Sequence, residues 1–244
     1  MTNLIIMSIY LGKRCSDSEP NMMRTFIAIT LFSSVAFAAT INIRMPGAQP
    51  MHSDEYLCSA FSIKNLTGAT GRTKHYITGF NVTADSTKVG HVGIIRCNNA
   101  SIEEGEVYSC LNPDDICGSS YSRYKVIYDW GKDAGPFSLP ADVGFEVDGE
   151  EDHIVMQVHY KVPLDFKDNT SAVIKYTDDK PKYSAGMMIL IQNNLTIPRG
   201  VGNVQADMKC KVCHMTLYSI SLSINPAGAP QYMDNFNTFT LGAR

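Results

Sequence analysis

Short apolar segments with the composition of β-strands recur along the chain, and this pattern limits the possible folds more than any other feature. In the clearest segment, His153–Tyr160, every second residue is apolar and would lie on one face of a strand: Ile154, Met156, Val158 and Tyr160. Six further segments share this character: Tyr76–Val82, Lys88–Cys97, Tyr124–Trp130, Ser171–Thr177, Gly186–Gln192 and Met215–Ile224. Turn-forming residues separate them, and no window carries the 3.6-residue apolar repeat of a surface helix. The sequence therefore predicts an all-β fold, an antiparallel sandwich.

The composition, the net charge and the absence of common motifs argue against several classes of function. Hydrophobic residues make up 44% and charged residues 18% of the 244 residues, as in a folded domain. The formal net charge is −3, so we expect no nucleic-acid-binding surface. The sequence has no Gly-x-Ser-x-Gly motif, no phosphate-binding glycine loop and no His-Glu-x-x-His motif. These absences argue against the common hydrolase, nucleotide-binding and zinc-protease classes.

The segment before residue 39 has the features of a signal peptide. A basic residue precedes the apolar run Phe26–Phe32, and Ala36-Phe37-Ala38 offers the small-x-small pattern that a signal peptidase accepts. The run is too short to span a bilayer, so we expect no transmembrane anchor. Secretion is the resulting prediction.

Two further features agree with secretion. Five Asn-x-Ser/Thr sequons follow, and we predict glycosylation on at least some of them: Asn65, Asn81, Asn99, Asn169 and Asn194. The seven cysteines are more than a cytosolic protein of this size usually carries. They predict disulfide bonds formed in an oxidising compartment.

Candidate ligand residues are few. Imidazole is the commonest metal ligand, and two of the six histidines, His91 and His159, lie inside predicted strands. A lone strand histidine is more often a core or surface residue than a ligand. A separate motif, Cys210–His214, has the Cys-x-x-Cys-His form of a c-type haem attachment site. That motif is short and arises by chance, so a haem protein stays as a remote alternative.

A set of motifs, taken together, resembles the copper- and ascorbate-dependent peptidylglycine α-hydroxylating monooxygenases. The motifs follow one another in register over roughly residues 42–222: Arg44–Pro50, Ser53–Cys58, Val89–Cys97, Ile127–Trp130, Leu139–Phe145, Gln157–Tyr160 and Ile197–Gly200. The resemblance implies two jelly-roll-type β-sandwich domains, each with one copper, of which this chain is similar to the first. On this basis residues 1–38 are a signal peptide with an extra upstream segment, 39–222 the copper domain, and 223–244 a divergent tail.

The resemblance also implies which residues bind copper. In the family, an adjacent histidine pair and the histidine of the Gln-Val-His-Tyr strand hold an electron-transfer copper, and ascorbate reduces both coppers. His159 matches the strand ligand and His91 the second member of the pair, whereas Gly90 stands where the first belongs. Two imidazoles can hold Cu(I) linearly but hold Cu(II) poorly. His75 and His153 are conceivable substitutes.

The second departure concerns the oxygen-activating copper, which the family binds through a His-x-His pair and a second domain. Here Leu222–Asn225 contains no histidine, and we expect this chain to lack the family's second domain. We therefore expect the chain alone to be inactive as an enzyme. In an intact enzyme the function would be hydroxylation of the Cα of the C-terminal glycine of glycine-extended peptides. The rival hypothesis is a non-catalytic secreted β-sandwich that acts as a binding module.

The cysteines carry further implications of the resemblance. By the family pattern, Cys58 pairs with Cys110 and Cys97 pairs with Cys117. Cys210 matches a cysteine that bonds into the second domain, and Cys213 offers an alternative partner.

Processing supplies the first prediction. We expect translation to begin at Met22 or Met23 and the mature chain to begin near Ala39, because the small-x-small pattern ends at Ala38. N-terminal sequencing of secreted protein checks this, and treatment with a glycosidase shows which sequons carry glycan. A secreted chain that begins at Met1 would contradict the prediction.

Overall fold

The computed structural model describes residues 3–14, 39–71, 73–111, 114–117, 124–131, 134–195 and 215–226. For residues 3–14, 114, 188–195 and 215–226 the backbone alone is described. The Cys210–His214 motif lies outside these ranges, so the haem alternative stays untested.

Strands dominate the described residues, as the apolar segments predict. The strands are β1 (Asn3–Arg14), β2 (Ala39–Arg44), β3 (Glu55–Ser62), β4 (Lys74–Thr83), β5 (Val89–Asn98), β6 (Tyr108–Ser109), β7 (Tyr124–Gly131), β8 (Phe137–Ser138), β9 (Val143–Asp148), β10 (Asp152–Tyr160), β11 (Ser171–Thr177), β12 (Tyr183–Leu195) and β13 (Met215–Pro226). Two short helices accompany them, α1 (Ile63–Thr67) and α2 (Asp114–Cys117). In the described part of the chain, no helix has the length and apolar character needed to cross a membrane.

The strands form two sheets. The smaller has five antiparallel strands in the order β6-β3-β10-β5-β7. The larger has eight, in the order β13-β1-β12-β9-β4-β11-β2, with β8 paired to β4. Its β12–β9 contact is parallel, and the other pairings are antiparallel. The predicted all-β, antiparallel-rich sandwich is confirmed.

The core lies between the inner faces of the two sheets. Phe80 of β4 stacks on Tyr128 of β7 with ring centroids 4.6 Å apart, which joins the larger sheet to the smaller one. The predicted apolar face of β10 points into this core, and all four of its side chains are fully buried: Ile154, Met156, Val158 and Tyr160. Burying a large apolar side chain contributes about 1.5–3 kcal/mol. The orientation of β10 is therefore strongly determined.

The outer face of the smaller sheet carries the disulfides. Cys58 of β3 bonds to Cys110, and Cys97 of β5 bonds to Cys117, the pairs that the family resemblance implies. All four cysteines are buried in a second apolar cluster with Ile95, Ile116 and Val155. This cluster covers one end of the outer face and leaves the other end for polar residues.

Two sequence predictions remain untested by the fold. β1 precedes the expected cleavage site at Ala38 and lies between β12 and β13, so cleavage stays a prediction. Among the sequon asparagines, Asn65, Asn99 and Asn169 are exposed and Asn81 is half-buried. The side chain of Asn194 is outside the described part, and glycosylation also stays a prediction.

The disulfides supply a stability prediction. Replacing either pair by alanine (Cys58 and Cys110, or Cys97 and Cys117) should lower the free energy of unfolding by roughly 2–4 kcal/mol, because each bond restricts the unfolded chain. Denaturant unfolding measures the loss, and non-reducing peptide mapping checks the connectivity. A peptide that joins Cys58 to Cys97 would contradict the register described above.

Candidate metal centre

The pairing of β10 with β5 brings the two candidate ligands together. His159 lies directly opposite His91 in the antiparallel register. Opposite residues on neighbouring strands project from the same face, with Cβ atoms about 4.5–5.5 Å apart. The neighbours of His159 on β10, Val158 and Tyr160, point into the core, so the two histidines lie on the outer face of the smaller sheet. The two strands that carry the candidate ligands therefore pair directly with each other.

Gly90 forms a bulge beside this pair. The register shifts between His159, which pairs with His91, and Tyr160, which pairs with Val89, so Gly90 is the extra residue. A Cβ built on Gly90 would lie 2.9 Å from Nδ1 of His159 and 3.2 Å from Cγ of Lys161. Position 90 therefore faces the ring of His159 without supplying a ligand.

The His159 ring is held from two sides. It stacks on Tyr56 of β3, with centroids 4.4 Å apart and planes 11° apart. Its Nε2 lies 3.2 Å from Oδ1 of Asp54, whose φ of 58° places it in the left-handed region that aspartate tolerates. Burial lowers the pKa of His159 and nearby His91 and Lys161 add to this, while Asp54 opposes the shift without cancelling it. At neutral pH this favours an uncharged ring, the state that binds a metal.

The His91 ring pairs with a different carboxylate. Its Nε2 contacts Oδ1 of Asp129 on β7. Asp129 lies opposite Gly93, two residues beyond His91 on β5, and is therefore a diagonal cross-strand neighbour of His91. Burial lowers the pKa of His91, but the charge of Asp129 and its hydrogen bond together outweigh burial, and the net pKa is raised.

The contacts of the two histidine rings leave the Nδ1 atom of each ring available to bind a metal. Both Nε2 atoms face carboxylates, and neither Nδ1 makes a hydrogen bond to a described residue. Metal-binding histidines usually donate the other ring N–H to a carboxylate or carbonyl, so the donor set fits a metal. Within the described ranges, no group of three or more histidine, cysteine, aspartate or glutamate residues converges as a metal site. Two imidazoles suit Cu(I) and hold Cu(II) weakly.

Neither conceivable substitute supplies the missing ligand. His75 lies on β4 in the larger sheet, with Nδ1 2.5 Å from Oδ1 of Asp178 and Nε2 3.3 Å from Oγ1 of Thr67. Both of its nitrogens are engaged. His153 lies six residues from His159 on the same strand, a distance of roughly 20 Å.

Sequence reasoning missed the residues that surround the two rings. Asp129 interrupts the apolar segment Tyr124–Trp130, and that interruption was a usable signal. Tyr56 and Asp54 carried no comparable signal, because their contacts to His159 depend on the β3–β10 register. A surface cleft of about 280 Å³ lies beside them, lined by His52, Ser53, Asp54, Glu55, Tyr56, Ser109 and Leu111.

Comparisons with known proteins identify the family to which the chain belongs. The family model described as "Copper type II ascorbate-dependent monooxygenase, N-terminal domain" matches residues 41–167. Peptidyl-glycine alpha-amidating monooxygenase B of Xenopus laevis is 27% identical over 232 residues, which cover 92% of this chain and 25% of the relative. The Mus musculus enzyme is 31% identical over 185 residues, 73% of this chain and 17% of the relative.

The chain thus spans a quarter or less of the length of these relatives. The family match covers the strands that carry both histidines, Gly90 and Asp129, and the turn that carries Asp54. The chain belongs to the copper type II ascorbate-dependent monooxygenases, in the region of their N-terminal domain.

Proposed function

We propose that this chain provides the electron-transfer copper site of a peptidylglycine α-hydroxylating monooxygenase, with His91 and His159 as the copper ligands. The observation that carries the proposal is the register that places these two histidines directly opposite each other on the outer face of the smaller sheet. Copper bound there would alternate between Cu(I) and Cu(II), with ascorbate as the proposed reductant.

The chain's own residues would prepare this site before a metal arrives. Tyr56 limits rotation of the His159 ring by stacking on it, and Asp54 contacts the same ring. Asp129 contacts the His91 ring. The bulge at Gly90 brings the backbone close to Nδ1 of His159 and places no side-chain donor there. Each histidine thus has its own supporting residues, which supports Cu(I) binding by two histidines although the third family ligand is absent.

The substrate and the compartment belong to the same proposal. The matched relatives are named for peptidyl-glycine alpha-amidation, which supports glycine-extended peptides as the substrate of a complete enzyme. Two buried disulfides suit an oxidising compartment, which supports the secretory pathway.

A non-catalytic binding module is the second candidate. The observation that favours it is Gly90, which supplies no ligand where the family has a histidine. The two candidates differ in whether a restored ligand at position 90 creates a stronger copper site.

Copper affinity supplies the next prediction. Gly90→His should bind Cu(I) at least about tenfold more tightly than Gly90→Ala, by analogy with the 10–100-fold effects of residues that support metal ligands. Gly90→Ala is the matched control, because both variants place a Cβ 2.9 Å from His159 but only histidine adds a donor. Competition with a chromophoric Cu(I) chelator measures the affinities.

The crowding at position 90 has its own expected cost. Both variants should lower the free energy of unfolding by about 1–3 kcal/mol, because the ring of His159 must move away from the new Cβ. His159→Ala should abolish Cu(I) binding in the wild-type background. Equal affinities for the two Gly90 variants, or unchanged binding by His159→Ala, would contradict the copper proposal.

Peptide hydroxylation should be undetectable for this chain alone, with or without Gly90→His. By the family resemblance, the oxygen-activating copper needs a His-x-His pair where Leu222–Asn225 has none. Mass spectrometry of a glycine-extended peptide incubated with protein, copper and ascorbate checks the expectation, and a complete family member is the positive control. Turnover above the protein-free background would show that the chain is an enzyme in its own right.

A further inference from the structure

We propose that Asp129 is a positioning residue of the copper site, which orients His91 through Nε2 and so partly offsets the ligand missing at Gly90. The inference rests on the proposed copper function and assigns a role to a residue outside the ligand set. It predicts that replacing Asp129 weakens copper binding far more than replacing Asp54 does, although each carboxylate contacts one of the two imidazoles.

The two carboxylates differ in how firmly they are held. Asp129 lies within β7, between Tyr128 and Trp130, whose side chains are buried in the core. Its own side chain is 12% exposed. Asp54 lies in the turn before β3, its side chain is 82% exposed, and its oxygen is 3.2 Å from the ring. A carboxylate on a rigid strand can fix a ring orientation, whereas an exposed one on a turn is free to move away from the ring.

The burial of Asp129 also needs a compensating contact. Removing a carboxylate from water is costly unless an ionic or hydrogen-bonding partner replaces the lost hydration. Within the described part of the chain, His91 is the group that pairs with it. The position opposite Asp129 on β5 is Gly93, which contributes no side chain of its own beside the carboxylate.

A positioning role has consequences that mere packing lacks. The proposed role requires His91 to carry its hydrogen on Nε2, the nitrogen that contacts Asp129, which leaves Nδ1 with the lone pair that a metal needs. The negative charge of Asp129 also stabilises a doubly charged ion more than a singly charged one. Removing that charge should therefore weaken Cu(II) binding more than Cu(I) binding.

The test compares Asp129→Asn with the matched control Asp54→Asn. Nitrogen-15 NMR of the metal-free protein, at a pH where both rings are neutral, reports which ring nitrogen carries the hydrogen. The wild type should show His91 with hydrogen on Nε2, Asp129→Asn should lose this preference, and Asp54→Asn should leave His91 unchanged. This readout does not depend on copper.

Copper affinities provide the second readout. Asp129→Asn should weaken Cu(I) binding about 10–100-fold and Cu(II) binding by more. Asp54→Asn should change either affinity by about fivefold at most, as expected for an exposed pair. Asp129→Glu, which retains the charge, should recover part of the loss. Equal effects of the two asparagine variants, or equal losses of Cu(I) and Cu(II) affinity in Asp129→Asn, would overturn the proposal.

The outcomes separate this inference from the copper proposal. If the wild type binds no copper but His91 carries its hydrogen on Nε2 and loses that preference in Asp129→Asn, the copper function fails and the positioning contact stands. If Asp129→Asn does not fold, the wild-type and Asp129→Glu spectra decide. Hydrogen on Nδ1 of His91 in the wild type would by itself overturn the role of Asp129.

Discussion

The register between β10 and β5 is the constraint on which the rest of this structure depends. It places His159 opposite His91, and a slip of one residue would turn every side chain of β10 to the other face. Such a slip would expose Ile154 and Met156, which are fully buried, and would move His159 into the core. The apolar inner face therefore fixes the position of the polar outer face.

The two disulfides lie on the outer face of the same sheet and tie down the strands on either side of β10. Cys58 on β3 and Cys97 on β5 flank β10, and each is tied to the segment that covers the outer face. The covered end is apolar and buried, and it includes Val155 and Ile95. The opposite end holds the imidazoles and carboxylates. A single sheet face is thus divided into a structural part and a candidate chemical part.

The site combines family features with departures from them. The family match accounts for the sandwich and for the strands that present His91 and His159. The resemblance implies a third imidazole, and here a glycine bulge occupies its place. The close approach of Gly90 to His159 shows that the local packing has adjusted to a small residue, because a larger one requires the ring to move. The candidate site therefore presents two imidazoles and the side chains that contact them.

The sequence by itself determined the sandwich class, most of the long strands and the inner face of β10, because alternation of apolar residues is a local property. It did not predict β3, whose central residues are buried on both faces and so show no alternation. It identified His91, His159 and the departure at Gly90 through the family motifs. Only the tertiary structure decided that Asp129 contacts His91 and that Tyr56 and Asp54 hold His159. Those contacts join residues of different strands, and their partners follow from inter-strand register, which no local pattern in the chain encodes.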